Sequence, residues 1–232
     1  MYSALLFIVL IIVLSAVRSR LVFELSGISL LLFGSTRPGV IVYSIMVLPG
    51  TIIHELSHWV VAEVLQVPTG EISILPDFSN GEEKRQKLGH VMTASADPLR
   101  SFVIGIAPFV SGLGLLALFG YLFSTWWARG YPWWSLALLG YGIMVVGNSM
   151  MISKEDRRSW PVMFILSGGI VYALYRAGVS FQVAEGSVLT KTLTSLNIVL
   201  GVTLALNLGI IALSHLGLGV IEKLTHKRIV HK

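Results

Sequence analysis

Seven apolar stretches, at 2–17, 21–34, 39–66, 101–125, 133–152, 160–177 and 192–219, occupy most of this 232-residue chain. A helix crosses the bilayer core with roughly 20 apolar residues. Hydrocarbon offers no partner to an open backbone group, so runs of this length are expected to be helical. The stretch 21–34 is short and carries Glu24, which makes it a weak span or a half-buried segment. The stretch 39–66 is interrupted by Pro49-Gly50, with Thr51 placed to cap the helix that follows. Only 12% of residues are charged and 54% are hydrophobic, whereas a soluble domain carries about 25% charge. The fold expected is therefore an all-α polytopic membrane protein with about six to seven transmembrane helices. It forms a single membrane-embedded domain over 1–232.

Residues 67–98 break this pattern. They hold Pro68, Gly70, Pro76, Gly81 and Gly89 among many charges, with strand-like pieces at 71–76 and 88–95. A small β-hairpin near the membrane surface is expected over about 71–95.

The net charge of +5 comes from Lys and Arg scattered at the ends of apolar runs. Such residues read as topology signals, and nucleic acid is not an expected partner. Seven alternating crossings place 18–20, 67–100, 153–158 and the tail on one side, with 13 of the 17 Lys and Arg. By the positive-inside rule that side is cytoplasmic, so the C-terminus is expected inside and the N-terminus outside. No basic residue precedes the first apolar run, and Arg18 and Arg20 follow it, which reads as a retained anchor. The chain has no cysteine, so disulfides and thiolate metal ligands are excluded.

Within the third stretch stands His54-Glu55-Leu56-Ser57-His58. On a helix the two histidines lie one turn apart and about 40° apart around the axis, so both imidazoles can reach one metal ion. Zn²⁺ suits imidazole nitrogen and acidifies bound water, and Glu55 sits where it can accept the proton. Three ionisable groups within five residues of a membrane helix are costly, and are functional by default. A third protein ligand must come from elsewhere, because Glu63 faces the opposite side of the helix. The candidates are His90, Asp97, Glu155, Asp156, Glu185 and His215, among which Glu155 and Asp156 stand out in 148-NSMMISKEDRR-158.

This combination resembles the site-2 protease family of intramembrane zinc metalloproteases. Those proteins pair HExxH on one span with Asn-x-x-Pro-x-x-x-x-Asp-Gly two spans later. Asn148 precedes Asp156 by the same eight residues, while Met151 and Arg157 stand at the family's Pro and Gly. The segment 106-IAPFVSG-112 occupies the place of a family Gly-Pro, and 71–95 that of a surface hairpin. The resemblance covers about 39–158 as catalytic core, leaving 1–38 and 159–232 as accessory spans.

The resemblance implies an intramembrane metalloendopeptidase that hydrolyses peptide bonds in or near transmembrane segments, in regulated proteolysis. Zn²⁺ would be held by His54, His58 and Asp156, with Glu155 as the alternative third ligand. Glu55 would be catalytic, and Asn148 would hold substrate backbone or else make an interhelical hydrogen bond. The expected partners are a transmembrane protein substrate, the lipid bilayer and a regulatory membrane protein. The expected location is a multi-pass position in a bacterial or archaeal cytoplasmic membrane. Two alternatives stand beside this reading. One is a seven-span zinc protease that processes prenylated or membrane-protein termini, which would need Glu155. The other is a non-enzymatic metal-binding scaffold.

Overall fold

The computed structural model describes residues 2–73, 90–93, 96–151, 153, 156, 160–178 and 187–225. Six helices hold this framework: α1 (Tyr2–Phe33), α2 (Arg37–Val64), α3 (Pro98–Ala128), α4 (Trp133–Ser149), α5 (Trp160–Arg176) and α6 (Val188–Thr225). Four of them, α1, α2, α3 and α6, are long and apolar enough to cross a membrane.

The first correction concerns α1, because the expected spans 2–17 and 21–34 are one continuous helix of 32 residues. Charge alone does not interrupt a helix, and no Pro or Gly stands between 17 and 21. Arg20 pairs with Glu24 one turn on, while Leu14 and Leu21 keep one stripe fully buried. The helix stops at Gly34, which takes φ +69° and returns its N–H to the Leu30 carbonyl at 3.0 Å. That is the left-handed C-terminal cap that glycine adopts without strain. Near its middle, α2 runs through Pro49 without breaking. Helix α3 begins where the Asp97 carboxylate accepts the N–H groups of Leu99 and Arg100 at 3.1 and 3.0 Å.

Helices α1 to α4 alternate in direction. Leu21 of α1 packs on Tyr43 and Val47 of α2, and Leu14 on the cluster that includes Ile53. Ser57 then meets Ser111 and His58 meets Ile104, which sets α3 antiparallel to α2. Helix α6, however, runs parallel to α1. Asn197 donates to the Ser3 carbonyl, Ile210 and Ile211 pack near Leu21 and Leu25, and His215 approaches Glu24. Trp160 meets Phe102 near the start of α3, so α5 and α6 both begin at the same end of the bundle. In this bundle the strands and the end of α6 lie at opposite ends. Most of the expected loop 67–100 and residues 226–232 of the tail lie outside the described residues.

Two short strands, β1 (Thr69–Ser73) and β2 (His90–Thr93), pair antiparallel with Thr69 opposite Thr93 and Ser73 opposite His90. The segment 74–89, on which the expected hairpin turn falls, lies outside the described residues. The main core gathers Leu14, Leu116, Ile143, Val146, Met150 and Leu200, from α1, α3, α6, α4 and the residue following α4. Helix α2 lies on this core through Ile53. This sets one face of α2 against α3 and the end of α4.

Candidate metal centre

Helix periodicity brings His54 and His58 to the same face of α2, with ring centroids 4.9 Å apart. Each ring then spends its Nδ1–H on a backbone carbonyl of a different helix. His54 Nδ1 reaches the Ser149 oxygen at 2.7 Å, and His58 Nδ1 reaches the Ile104 oxygen at 2.8 Å. The Ser149 carbonyl is available because it ends α4, where the last carbonyls have no partner within the helix. The Ile104 carbonyl is available because its i+4 residue is Pro108, which has no N–H.

With Nδ1 as the donor, a neutral imidazole presents a lone pair at Nε2. The two Nε2 atoms converge on one carboxylate: His58 Nε2 lies 3.2 Å from Asp156 Oδ1, and His54 Nε2 lies 3.8 Å from Oδ2. Asp156 is held in turn by Ser153, whose N–H donates to Oδ2 at 2.8 Å and whose Oγ accepts the Asp156 N–H at 3.1 Å. One ligand atom from each of the three residues lies within 4.8 Å of the others. Two lone pairs and a carboxylate repel unless a proton or a cation lies between them. A nitrogen, nitrogen, oxygen set of this kind fits zinc, and the Nδ1 hydrogen bonds are those that orient metal-binding histidines. The residues present therefore fit the metal that the HExxH spacing suggests.

Glu55 is 4% exposed, and its Oε2 has no hydrogen-bond partner among the described residues. A buried carboxylate oxygen left open is costly for a structural residue and suits a group that must accept a proton. A small, half-open cleft adjoins His54, lined mainly by Gly50, Ile53, Pro108, Gly112, Val146 and Met150.

Of the other third-ligand candidates, Asp97 is spent on capping α3, and His215 sits beside Glu24, where α1 and α6 run together away from the centre. Glu155 and Glu185 lie outside the described residues, as does the side chain of His90. Asn148 is 1% exposed. Its Nδ2 donates to Met144 O and to Asn207 Oδ1, and Asn207 Nδ2 donates back to Asn148 Oδ1. Both of its N–H groups are thereby spent on the bundle, so Asn148 meets a substrate only if this pair opens. Asn207 and Ser153 went unnoticed in the sequence. An Asn in the middle of an apolar span was the signal for the first. A Ser three residues before a carboxylate was the signal for the second.

Close packing fixes the approach of these parts. A Cβ at Gly105 would stand 2.3 Å from the Asp156 backbone oxygen. Backbone yields less than a side-chain tip, so Gly105→Ala is expected to push Asp156 away from the histidines. The expected result is weaker zinc binding together with a stability loss of about 1–3 kcal/mol, read by metal titration and thermal melting. Unchanged zinc affinity would mean that Asp156 does not bind the ion. Set against protein-family models, curated proteins and solved structures, the chain matches none of them.

Proposed function

We propose that this chain is an intramembrane zinc metalloprotease that cleaves peptide bonds in or near transmembrane segments of other proteins. The observation that carries the reading is the convergence of His54, His58 and Asp156 with both Nδ1 atoms already committed to backbone carbonyls. His54, His58 and Asp156 would hold Zn²⁺. Bound there, zinc supplies Lewis-acid polarisation of a carbonyl and lowers the pKa of a water to about 7. Glu55, one residue from His54, takes the proton of the attacking water at its open oxygen and passes it to the leaving amine. The reading of Asp156 as third ligand also weakens the prenyl-protein alternative, which needs Glu155.

A centre that hydrolyses membrane-embedded peptide bonds must admit water without opening backbone to lipid. In this reading the small cleft beside His54 lies on the route by which water reaches the centre. A substrate helix must unwind before cleavage because its carbonyls are already hydrogen-bonded. The β1–β2 pair offers an edge against which the unwound strand can pair. The deciding test is cleavage of a transmembrane segment by purified protein, compared with Glu55→Gln at matched zinc content.

Helix directions support five traversals, by α1, α2, α3, α4 and α6. The exposed Trp127, Trp133 and Trp134, around the α3–α4 connection, suit the membrane–water interface at the end away from the strands. An odd number of traversals places the strand end and the end of α6 on opposite faces. Because the chain has no cysteine, a single Cys at position 70 and another at position 223 can each be labelled unambiguously. In sealed vesicles an impermeant maleimide should reach one and not the other. Labelling of both from one side would overturn the five-traversal topology.

A further inference from the structure

We infer that Pro108 is a positioning residue for the metal centre, acting by the absence of its N–H. The inference rests on the metal reading above and extends it to a residue that offers no metal ligand of its own. In an uninterrupted helix the residue at 108 would donate to the carbonyl of residue 104. Proline cannot, and its ring also crowds that carbonyl. The Ile104 carbonyl is the group that His58 Nδ1 meets at 2.8 Å. One residue therefore leaves an acceptor unclaimed on the flank of α3 that faces α2. His58 takes it, which fixes its proton on Nδ1 and turns its Nε2 toward Asp156.

The surroundings support this assignment. Ile104 is 7% exposed, so water cannot readily satisfy its carbonyl in place of His58. Gly105, the next residue, has no Cβ and so lets the Asp156 backbone approach α3. The Pro108 carbonyl in turn accepts the Ser111 hydroxyl at 3.1 Å, and Ser111 pairs with Ser57 of α2 at 2.7 Å. Residues 104–111 of α3 thus form the wall against which one ligand's tautomer and the other ligand's backbone are set. Ordinary helix packing asks nothing of this kind from a proline, which by itself weakens a helix interior.

The test exploits that opposition of signs. Pro108→Ala restores an N–H that competes with His58 for the Ile104 carbonyl. The metal-free variant should melt at a higher temperature than the wild type. Its zinc affinity, measured by chelator competition, should fall about 10–100-fold, the loss typical of removing a partner that orients a metal-bound histidine. The ¹⁵N shifts of His58 should also move away from a pure Nδ1–H tautomer in the metal-free protein. A second variant isolates the N–H from the ring. Lactic acid in place of residue 108 gives an ester with the alanine methyl and no N–H, and it should restore wild-type affinity. Equal zinc affinity in wild type and Pro108→Ala would overturn the inference and leave the metal reading standing. Failure of the ester variant to restore affinity would also overturn it, assigning the effect to the ring. A wild-type protein that binds no zinc would overturn both.

Discussion

Glu55→Gln is expected to leave zinc in place and lower cleavage of a transmembrane substrate by about 10²–10⁴-fold, the range for loss of a general base. The upper part of that range is expected, because the same carboxylate would take the water proton and deliver it to the leaving amine. Glutamine keeps the volume and one acceptor oxygen of Glu55, so packing on α2 is little disturbed. It cannot take up a proton at neutral pH, and that is the property under test. The position supports a chemical role over a structural one: Glu55 is nearly fully buried, yet one of its oxygens has no partner among the described residues. A structural Glu55 would show the reverse pattern. Removing its charge from a buried site would then change the melting temperature and spare cleavage. The measurement is single-turnover cleavage of a purified transmembrane segment that contains helix-weakening residues, at equal zinc content. Near wild-type cleavage by Glu55→Gln would end the protease reading.

How much of this centre was legible in the sequence depends on the range of the interaction. The His54–His58 pair is a local feature, set by one helical turn, and needs no knowledge of the fold. Asp156 was reachable from its eight-residue distance to Asn148, although the Pro and Gly expected between and after them are Met151 and Arg157. Helix α4 ends at Ser149 without that proline. The terminal carbonyl is taken by His54, and Met150 packs against Gly112, so tertiary contacts supply the stop that local sequence does not. Asn148 was recognised as a polar group in an apolar span, but its partner Asn207 lies 59 positions away and no periodicity links them.

The bundle was less legible than the centre. Arg18 and Arg20 looked like the end of a span because charge marks span ends on average. A helix interior tolerates Arg20 when Glu24 stands one turn away. The direction of α6 is a tertiary property, and counts of Lys and Arg could not supply it when both ends of the bundle carry basic residues. Ser3 with Asn197, and Glu24 with His215, decide it by contact.

Loss of metal should follow loss of any one of the three converging residues. His54→Ala, His58→Ala and Asp156→Ala are each expected to take zinc from about one ion per chain to nearly none, since catalytic zinc is held by three protein ligands. The three are expected to behave alike even though they come from two parts of the chain 98 residues apart, Asp156 being 98 positions beyond His58. Stability offers a second reading of the same event. An ion that binds only the folded state stabilises it by about 4 kcal/mol at a thousandfold excess over its dissociation constant. Chelation should therefore lower the wild-type melting temperature and leave the three variants almost unmoved. A chance cluster predicts something else. With no ion to hold, His58 and Asp156 would be an ordinary buried pair at 3.2 Å. Removing either partner would then strand the other and destabilise the chain, while chelator would change nothing in the wild type. Chelator sensitivity that survives in Asp156→Ala, with full zinc occupancy, would remove Asp156 from the centre. Absence of that sensitivity in the wild type would remove the centre itself.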